Sequence, residues 1–432
     1  MTDSPPAAPS AVEVTVSGLR CATCGAEVDI ATPWPWRCPE AGSSRHHVLR
    51  IQRRLAPLRA ADHPNPFVAF DAEMAWASFA DAHGLDAVAR RAMVEVLDAQ
   101  VAAVDGRGFV VTPLERADAL SDALGFAPHG GVWVKDETHN VSGSHKARHL
   151  VTILLHLLAA EAVGLRSATD RPQLAIASCG NAALAAATLA AAVRWPLQVF
   201  VPPTADPVVV ARLHALGAIV VCCPRLAAHP PGDPCVHRFR EAVAAGAVPF
   251  GVQGPENALC LDGGRTMGFE IYEGMGHRCD RVFVQVGGGA LITGVGDGLR
   301  IGGVHPQIHA VQAAGCAPLA RAWRGLDGRG AATRWAELMW PWEDEPHSAA
   351  HGILDDETYD WLGAVDAMRG GGGGPVVSPE ADVLRANELA RAHTAIDADH
   401  TGTAGLAGVL TTRGSLRDDE RVVVIFSGAR RS

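Results

Sequence analysis

Val134 to Leu150 reads V-K-D-E-T-H-N-V-S-G-S-H-K-A-R-H-L, and an apolar run follows at once: Leu150, Val151, Ile153, Leu154, Leu155, Leu157 and Leu158. That spacing predicts a helix opening at or near Lys146. A helix N-terminus disfavours an ammonium, and partial burial lowers the amine pKa further. A lysine held this way can act as a Schiff-base nucleophile. Alone, such a lysine is more often a solvated residue of a first helical turn, so the rest of the chain must supply its context.

Downstream of Lys146 the pattern alternates. Strands are predicted at Leu174–Ala177, Leu197–Val201, Ala218–Cys222, Val282–Val286, Ile308–Gln312 and Arg421–Phe426, with helices at Asn181–Val193 and Pro207–Leu216. Alternation of this kind predicts α/β architecture with parallel sheets. Upstream, Asp71–His83 and Leu85–Leu97 read as helices broken at Gly84, followed by a helix at Ala117–Leu124 and a strand at Val132–Val134. Pro224–Pro234 holds four prolines and reads as a loop. Trp335–Ser348 is tryptophan-rich and irregular, and the five glycines Gly370–Gly374 read as a mobile loop. The 432 residues suffice for two domains.

Three further stretches carry candidate chemistry. Ser178-Cys179-Gly180-Asn181 joins a strand to an alanine-rich helix. Free N–H groups and the helix dipole at such a turn bind anions, although Asn181 would also serve as a simple helix cap. Val286-Gly287-Gly288-Gly289-Ala290-Leu291 repeats the arrangement with three glycines, whose missing Cβ atoms let the backbone wrap a phosphate. A dinucleotide fold would want G-x-G-x-x-G and an acidic residue ending the next strand, and His309–Gln312 ends in glutamine. Phe426-Ser427-Gly428 closes the last strand, where ligands of open α/β sheets gather.

Lys135, Glu137, Asn140, Gly143, Ser144, Lys146 and Arg148 spell K-x-E-x-x-N-x-x-G-S-x-K-x-R. With the three turns in the same order, and with Thr112-Pro113-Leu114-Glu115-Arg116 just upstream, this pattern resembles the fold-type II pyridoxal-phosphate enzymes. Threonine synthase is the nearest likeness and the threonine/serine ammonia-lyases the next, over roughly Asn65 to Gly428. The resemblance implies a tryptophan synthase β-like fold of two three-layer α/β domains with pyridoxal 5'-phosphate between them. A large domain would comprise 61–146 and 256–432, and a small one 147–255. Lys146 would hold the cofactor as an imine and act as the catalytic base. Gly287, Gly288, Gly289, Ala290 and Leu291 would hold its phosphate, Asn181 its phenolic oxygen, and Ser427 would face its ring nitrogen. Ser178, Cys179, Gly180 and Asn181 would bind the carboxylate of an amino-acid substrate.

The implied activity is a threonine synthase-like lyase, working by α-proton abstraction and β- or γ-elimination or replacement. The alternatives are a threonine/serine ammonia-lyase and a non-catalytic homologue that binds an amino acid or the cofactor. A serine at 427 cannot keep the ring nitrogen protonated as an aspartate would, which suits elimination. The chain departs from the pattern at His145, where the family usually has Phe, at Ala147, where threonine synthases have Asp, and at His149. None of His139, His145 and His149 is read as catalytic.

Net charge is −10, with an isoelectric point near 6.0, which argues against nucleic acid or an acidic membrane as partner. No secretory signal and no membrane-spanning run is visible, so a cytoplasmic protein is expected. A homodimer, the commonest soluble oligomer, is an assembly this composition allows. Ten cysteines scattered over the chain do not form a disulfide scaffold. Cys21-x-x-Cys24 with Cys38 looks like part of a zinc ribbon spanning 13–60, behind a disordered tail at 1–12. A fourth ligand is missing near 41, where Ala41 and Gly42 stand; His46 or His47 would have to substitute, and otherwise Trp34 and Trp36 would hold a degenerate ribbon.

Overall fold

Strands buried on both faces are what a helix-covered parallel sheet requires, and R-V-V-V-I-F at Arg421–Phe426 is one. The computed structural model describes residues 14–42, 44, 46–226, 232–327 and 330–430. The expected tail at 1–12 and the middle of the proline-rich segment, 227–231, lie outside the described residues. In chain order the strands are β1 (Val16–Cys21), β2 (Glu27–Asp29), β3 (Leu49–Arg53), β4 (Leu114–Arg116), β5 (Gly131–Asp136), β6 (Leu174–Ala177), β7 (Leu197–Val201), β8 (Ile219–Cys222), β9 (Val248–Pro249), β10 (Arg281–Gln285), β11 (Gln307–Ala313), β12 (Gly374–Ser378) and β13 (Arg421–Phe426).

The larger sheet has the order β12-β11-β10-β13-β5-β4 and is parallel except for β4 against β5. The smaller sheet, β8-β7-β6-β9, is wholly parallel. β1, β2 and β3 make a separate antiparallel ribbon. The expected α/β architecture with parallel-rich sheets is therefore present.

Alternation along each strand builds three layers. Val423 and Ile425 of β13 pack with Ile292, Val295 and Trp361 on one face of the larger sheet. Val422, Val424 and Phe426 pack with Leu406, Ala407 and Ala386 on the other. In the smaller sheet Leu174 and Ile176 share a core with the helix Asn181–Ala192, while Ala175 and Phe200 meet Phe239 of the helix Pro234–Ala244. The helix Lys146–Ala162 is buried nearly all round, as a helix apolar on every face must be. It packs on the helices Asn181–Ala192 and Cys260–Met275, so Lys146 opens an element that touches both sheets' helix layers. Among the described residues no helix is long and apolar enough to cross a membrane.

Two expectations need correction. The segment Asp71–His83 is split into a 3-10 turn, Asp71–Glu73, and a helix, Ala75–Ala82. The buried Asp262 carboxylate accepts the Ala75 N–H at 2.8 Å and so starts the second helix there. The glycine run 370–374 is not a mobile loop. It ends the helix Trp361–Gly371, turns at Gly372 (φ +76°) and begins β12. A Cβ on Gly371 would overlap the carbonyl oxygen of Pro306, and one on Gly373 that of Ile308. Glycine is required there for close backbone approach. Within Trp335–Ser348, which the sequence left irregular, one short helix, Trp335–Leu338, forms.

Substitutions in this run should have opposite signs. Gly370→Ala adds a methyl in open space inside a helix and should stabilise the protein by about 0.5–1 kcal/mol. Gly373→Ala should destabilise it by ~1–3 kcal/mol or more through overpacking. Urea midpoints at unchanged m-value check both; equal midpoints would mean the run is a loop after all.

Candidate active site

Lys146 is the first residue of its helix and follows a 3-10 turn at Val141–Gly143, in which Ser142 (φ +53°) and Gly143 (φ +71°) take left-handed conformations. The end of β13 straps this turn: Ala429 donates its N–H to Gly143 O at 2.8 Å. The Lys146 amine faces a cavity and has no hydrogen-bond or ion-pair partner among the described residues. Burial lowers its pKa, against the pull of Asp355, Cys260 and Asp360.

The other charged residues of the motif do not reach the cavity. They form a buried network beneath it. Arg148 donates to Glu137 from Nε and Nη2, each at 2.9 Å, to Thr266 Oγ1 at 2.8 Å, and to Glu270. Glu137 also accepts from Thr112 Oγ1 at 2.6 Å and Asn140 Nδ2 at 2.8 Å. Lys135 pairs with Glu270. Desolvation would raise the Glu137 pKa, but Arg148 and Lys135 outweigh it and hold the carboxyl below its ordinary 4.5.

The structure brings the remaining site residues together. Lys146, Ser178, Cys179, Gly180, Asn181, Gly287, Gly288, Gly289, Ala290, Leu291 and Ser427 all line one cavity of about 340 Å³. Two helix N-termini point into it, those of Asn181–Ala192 and Ala290–Ile301. The glycine turn already faces an anion, because the Asp355 carboxylate stands against Gly287 and Gly288. A Cβ on Gly287 would overlap Asp355 Oδ2 and approach Ile353 Cα to 2.9 Å, and Gly289 (φ +93°) needs a left-handed backbone. These residues fit pyridoxal phosphate: an unpartnered amine for its aldehyde, a glycine cradle for its phosphate, and a hydroxyl at the far wall.

Sequence reasoning left several cavity groups without a role there. His145 lines the wall and hydrogen-bonds Ser427. Gln285 lines it too and donates to Gly402 O and Ile425 O. Asp355 comes from a segment with no periodicity, and burial pushes its carboxyl up to about 6. His139 sits outside the cavity, largely exposed beside Asp136, and His149 is buried with Nδ1 2.7 Å from Cys260 O.

Cys21, Cys24 and Cys38 lie far from this cavity in sequence but close to one another. With His47 their ligand atoms all fall within 4.8 Å. Cys21 Sγ is 3.6 Å from His47 Nδ1, and Cys24 Sγ is 3.6 Å from Cys38 Sγ. Trp34 and Trp36 also pack here, with ring centroids 6.0 Å apart.

Over residues 107–428 the chain matches the family described as pyridoxal-phosphate dependent enzyme. No curated protein sequence matches it. Solved structures of similar fold include threonine deaminase isoform 2 from Solanum lycopersicum, at 19% identity and TM-score 0.59, covering 88% of this chain and 95% of that one. Maize serine racemase is 16% identical with TM-score 0.59, over 78% and 94% of the two chains. A fungal L-serine ammonia-lyase from Rhizomucor miehei is 18% identical with TM-score 0.56, over 74% and 94%. At these identities the likeness is one of fold.

Arg148→Met removes the hub of the buried network and leaves two carboxylates to share the one remaining cation, Lys135. The expected loss is about 3–5 kcal/mol at neutral pH. Because the Glu137 pKa is depressed in the folded state, its contribution is present above the ordinary value of 4.5 and disappears as pH falls through the folded value. The difference between wild type and variant, measured by urea unfolding, should therefore shrink below pH 4.5. A pH-independent difference would count against the charge argument.

Proposed function

Because the chain belongs to the family of pyridoxal-phosphate dependent enzymes, we propose that it is an amino-acid ammonia-lyase: it removes the α-proton of a free amino acid and expels the β-substituent. A threonine synthase-like reaction, which starts from a phosphorylated amino acid, is the reading we set second. The observation that carries this choice is the charge of the cavity wall. Among its described lining residues Lys146 is the only lysine or arginine, whereas Asp233 and Asp355 are both present. The glycine cup serves one phosphate, the cofactor's; a second would find no further lysine or arginine among the described lining residues and would meet Asp233.

Bound pyridoxal phosphate supplies an aldehyde carbon for an amine and a conjugated ring that takes up electron density from the carbon being deprotonated. The chain's residues do the rest. Lys146 carries an amine whose lowered pKa lets it exchange a proton nearer neutral pH, as a general base at the α-carbon must. The N–H groups of the Ser178–Asn181 turn orient the substrate carboxylate, and those of Gly287–Gly289 anchor the phosphate. Ser427 offers a hydroxyl rather than a carboxylate to the ring nitrogen, which keeps the ring a moderate electron acceptor suited to elimination.

Lys146→Ala should lose the visible absorbance of the loaded protein and at least ~10²–10⁴-fold in turnover. The wild type, offered a panel of β-hydroxy and other β-substituted amino acids, should release ammonia and a keto acid. Phosphate release from a phosphorylated amino acid, with no ammonia from the panel, would restore the synthase reading. Visible absorbance without any turnover would favour the non-catalytic homologue.

We also read the ribbon as a structural zinc site completed by His47. A tetrahedral Zn–S distance of about 2.3 Å implies ligand separations of about 3.8 Å, close to the 3.6 Å between Cys24 and Cys38 sulfurs. Purified protein should carry about one zinc per chain by elemental analysis. His47→Ala should lower that content, and a metal-free wild type at full stability would rule the site out.

A further inference from the structure

We infer that His145 fixes the sense of the Ser427 hydrogen bond, so that the serine hydroxyl donates to the cofactor's ring nitrogen and keeps that nitrogen unprotonated. The inference rests on the cofactor reading given above and assigns a positioning role to a residue at which the chain departs from the resembling motif.

Ser427 Oγ has one proton to give and two lone pairs. The backbone N–H of His145 donates into one lone pair at 3.1 Å. His145 Nδ1 lies 2.6 Å from the same oxygen and takes up a second valence, either the other lone pair or the proton. The third valence faces the cavity, which both residues line. If Nδ1 carries the imidazole proton, it fills the second lone pair and leaves the hydroxyl proton for the ring nitrogen. If Nε2 carries it, Nδ1 consumes the hydroxyl proton, and Ser427 can only accept from a protonated ring.

The surroundings choose between the two. His145 Nε2 is buried without a hydrogen-bond partner. The first arrangement leaves only an unfilled lone pair there, whereas the second strands an N–H, the rarer and costlier defect in a protein interior. His145 is also a neutral ring: burial, then Lys146, His149 and Arg148, hold its pKa well below the ordinary 6.5. The neighbouring His149 does not supply the missing acceptor. Its Nδ1 donates to Cys260 O at 2.7 Å, which leaves Nε2 as its acceptor, but with the ring centroids 5.7 Å apart that Nε2 makes no hydrogen bond to His145 or to any other described residue.

The experiment loads the full-length protein with pyridoxal phosphate labelled with 15N in the ring and reads the ring-nitrogen resonance. Wild type should show an unprotonated pyridine. His145→Phe keeps a planar ring but removes the donor that orients the hydroxyl, and should move the resonance away from the hydrogen-bonded position towards that of a free pyridine. His145→Asn places an amide N–H one bond from Cγ, where Nδ1 stands, and should restore the wild-type position. A pyridinium resonance in wild type, an unmoved resonance in His145→Phe, or no rescue by His145→Asn would each overturn the inference. Should the Phe variant not fold, the histidine tautomer read by long-range 1H–15N correlation in the wild type decides it: Nδ1–H supports the assignment and Nε2–H refutes it. A protein that takes up no cofactor at all, with no borohydride-fixed label on Lys146, refutes the cofactor reading instead.

Discussion

Four charges buried beneath the cavity hold the lysine in place. Lys135 leaves β5, Glu137 follows it, Arg148 sits in the first turn of the lysine helix, and Glu270 belongs to the helix Cys260–Met275. All four side chains are at most 1% exposed. Taking such groups from water costs several kcal/mol each, and only excellent geometry with every remaining hydrogen bond filled repays it. Thr112, Asn140 and Thr266 fill those bonds. Two cations against two anions leave the cluster neutral. The cluster therefore adds little net field at the neighbouring amine, and it fixes the direction in which the helix starts.

That distinction explains why the motif could be recognised before its parts could be assigned. Lys135, Glu137, Asn140 and Arg148 build the foundation of the lysine, and a sequence pattern does not say which of its letters touch a ligand. The three turns were easier. Ser178–Asn181, Gly287–Leu291 and Phe426–Ser427 each end a strand before a helix or at a sheet's C-terminal edge, and parallel topology puts such ends on one side. Periodicity alone predicted most of the strands that carry them.

What stayed hidden depends on contacts between segments distant in sequence. The sequence offered His46 or His47 as the fourth ligand at an unusually long spacing, and the antiparallel pairing of β1 with β3 brings His47 to Cys21. The run Gly370–Gly374 has the composition of a flexible linker. Gly371 and Gly373 are there because the carbonyls of Pro306 and Ile308 pass where side chains would stand. Asp355 and Asp360 lie in a stretch without any repeat, and nothing local marks them as facing the lysine.

These two acids complete the electrostatics of the site. Burial pushes Asp355 up to about 6 and Asp360 up to about 7, while it pushes Lys146 down. All three shifts have one cause, the cost of holding a charge in a poorly solvated space, and all three favour neutral forms. The mutual attraction of amine and acids opposes that drift without reversing it. An amine paired with a fully ionised carboxylate would be locked as ammonium and could neither attack an aldehyde nor take a proton from carbon. Here no hydrogen bond or ion pair joins the amine to either carboxylate among the described residues, and burial works against the ammonium. The neutral, satisfied cluster below and the under-satisfied amine above are two consequences of one burial, and the second is the one that chemistry can use.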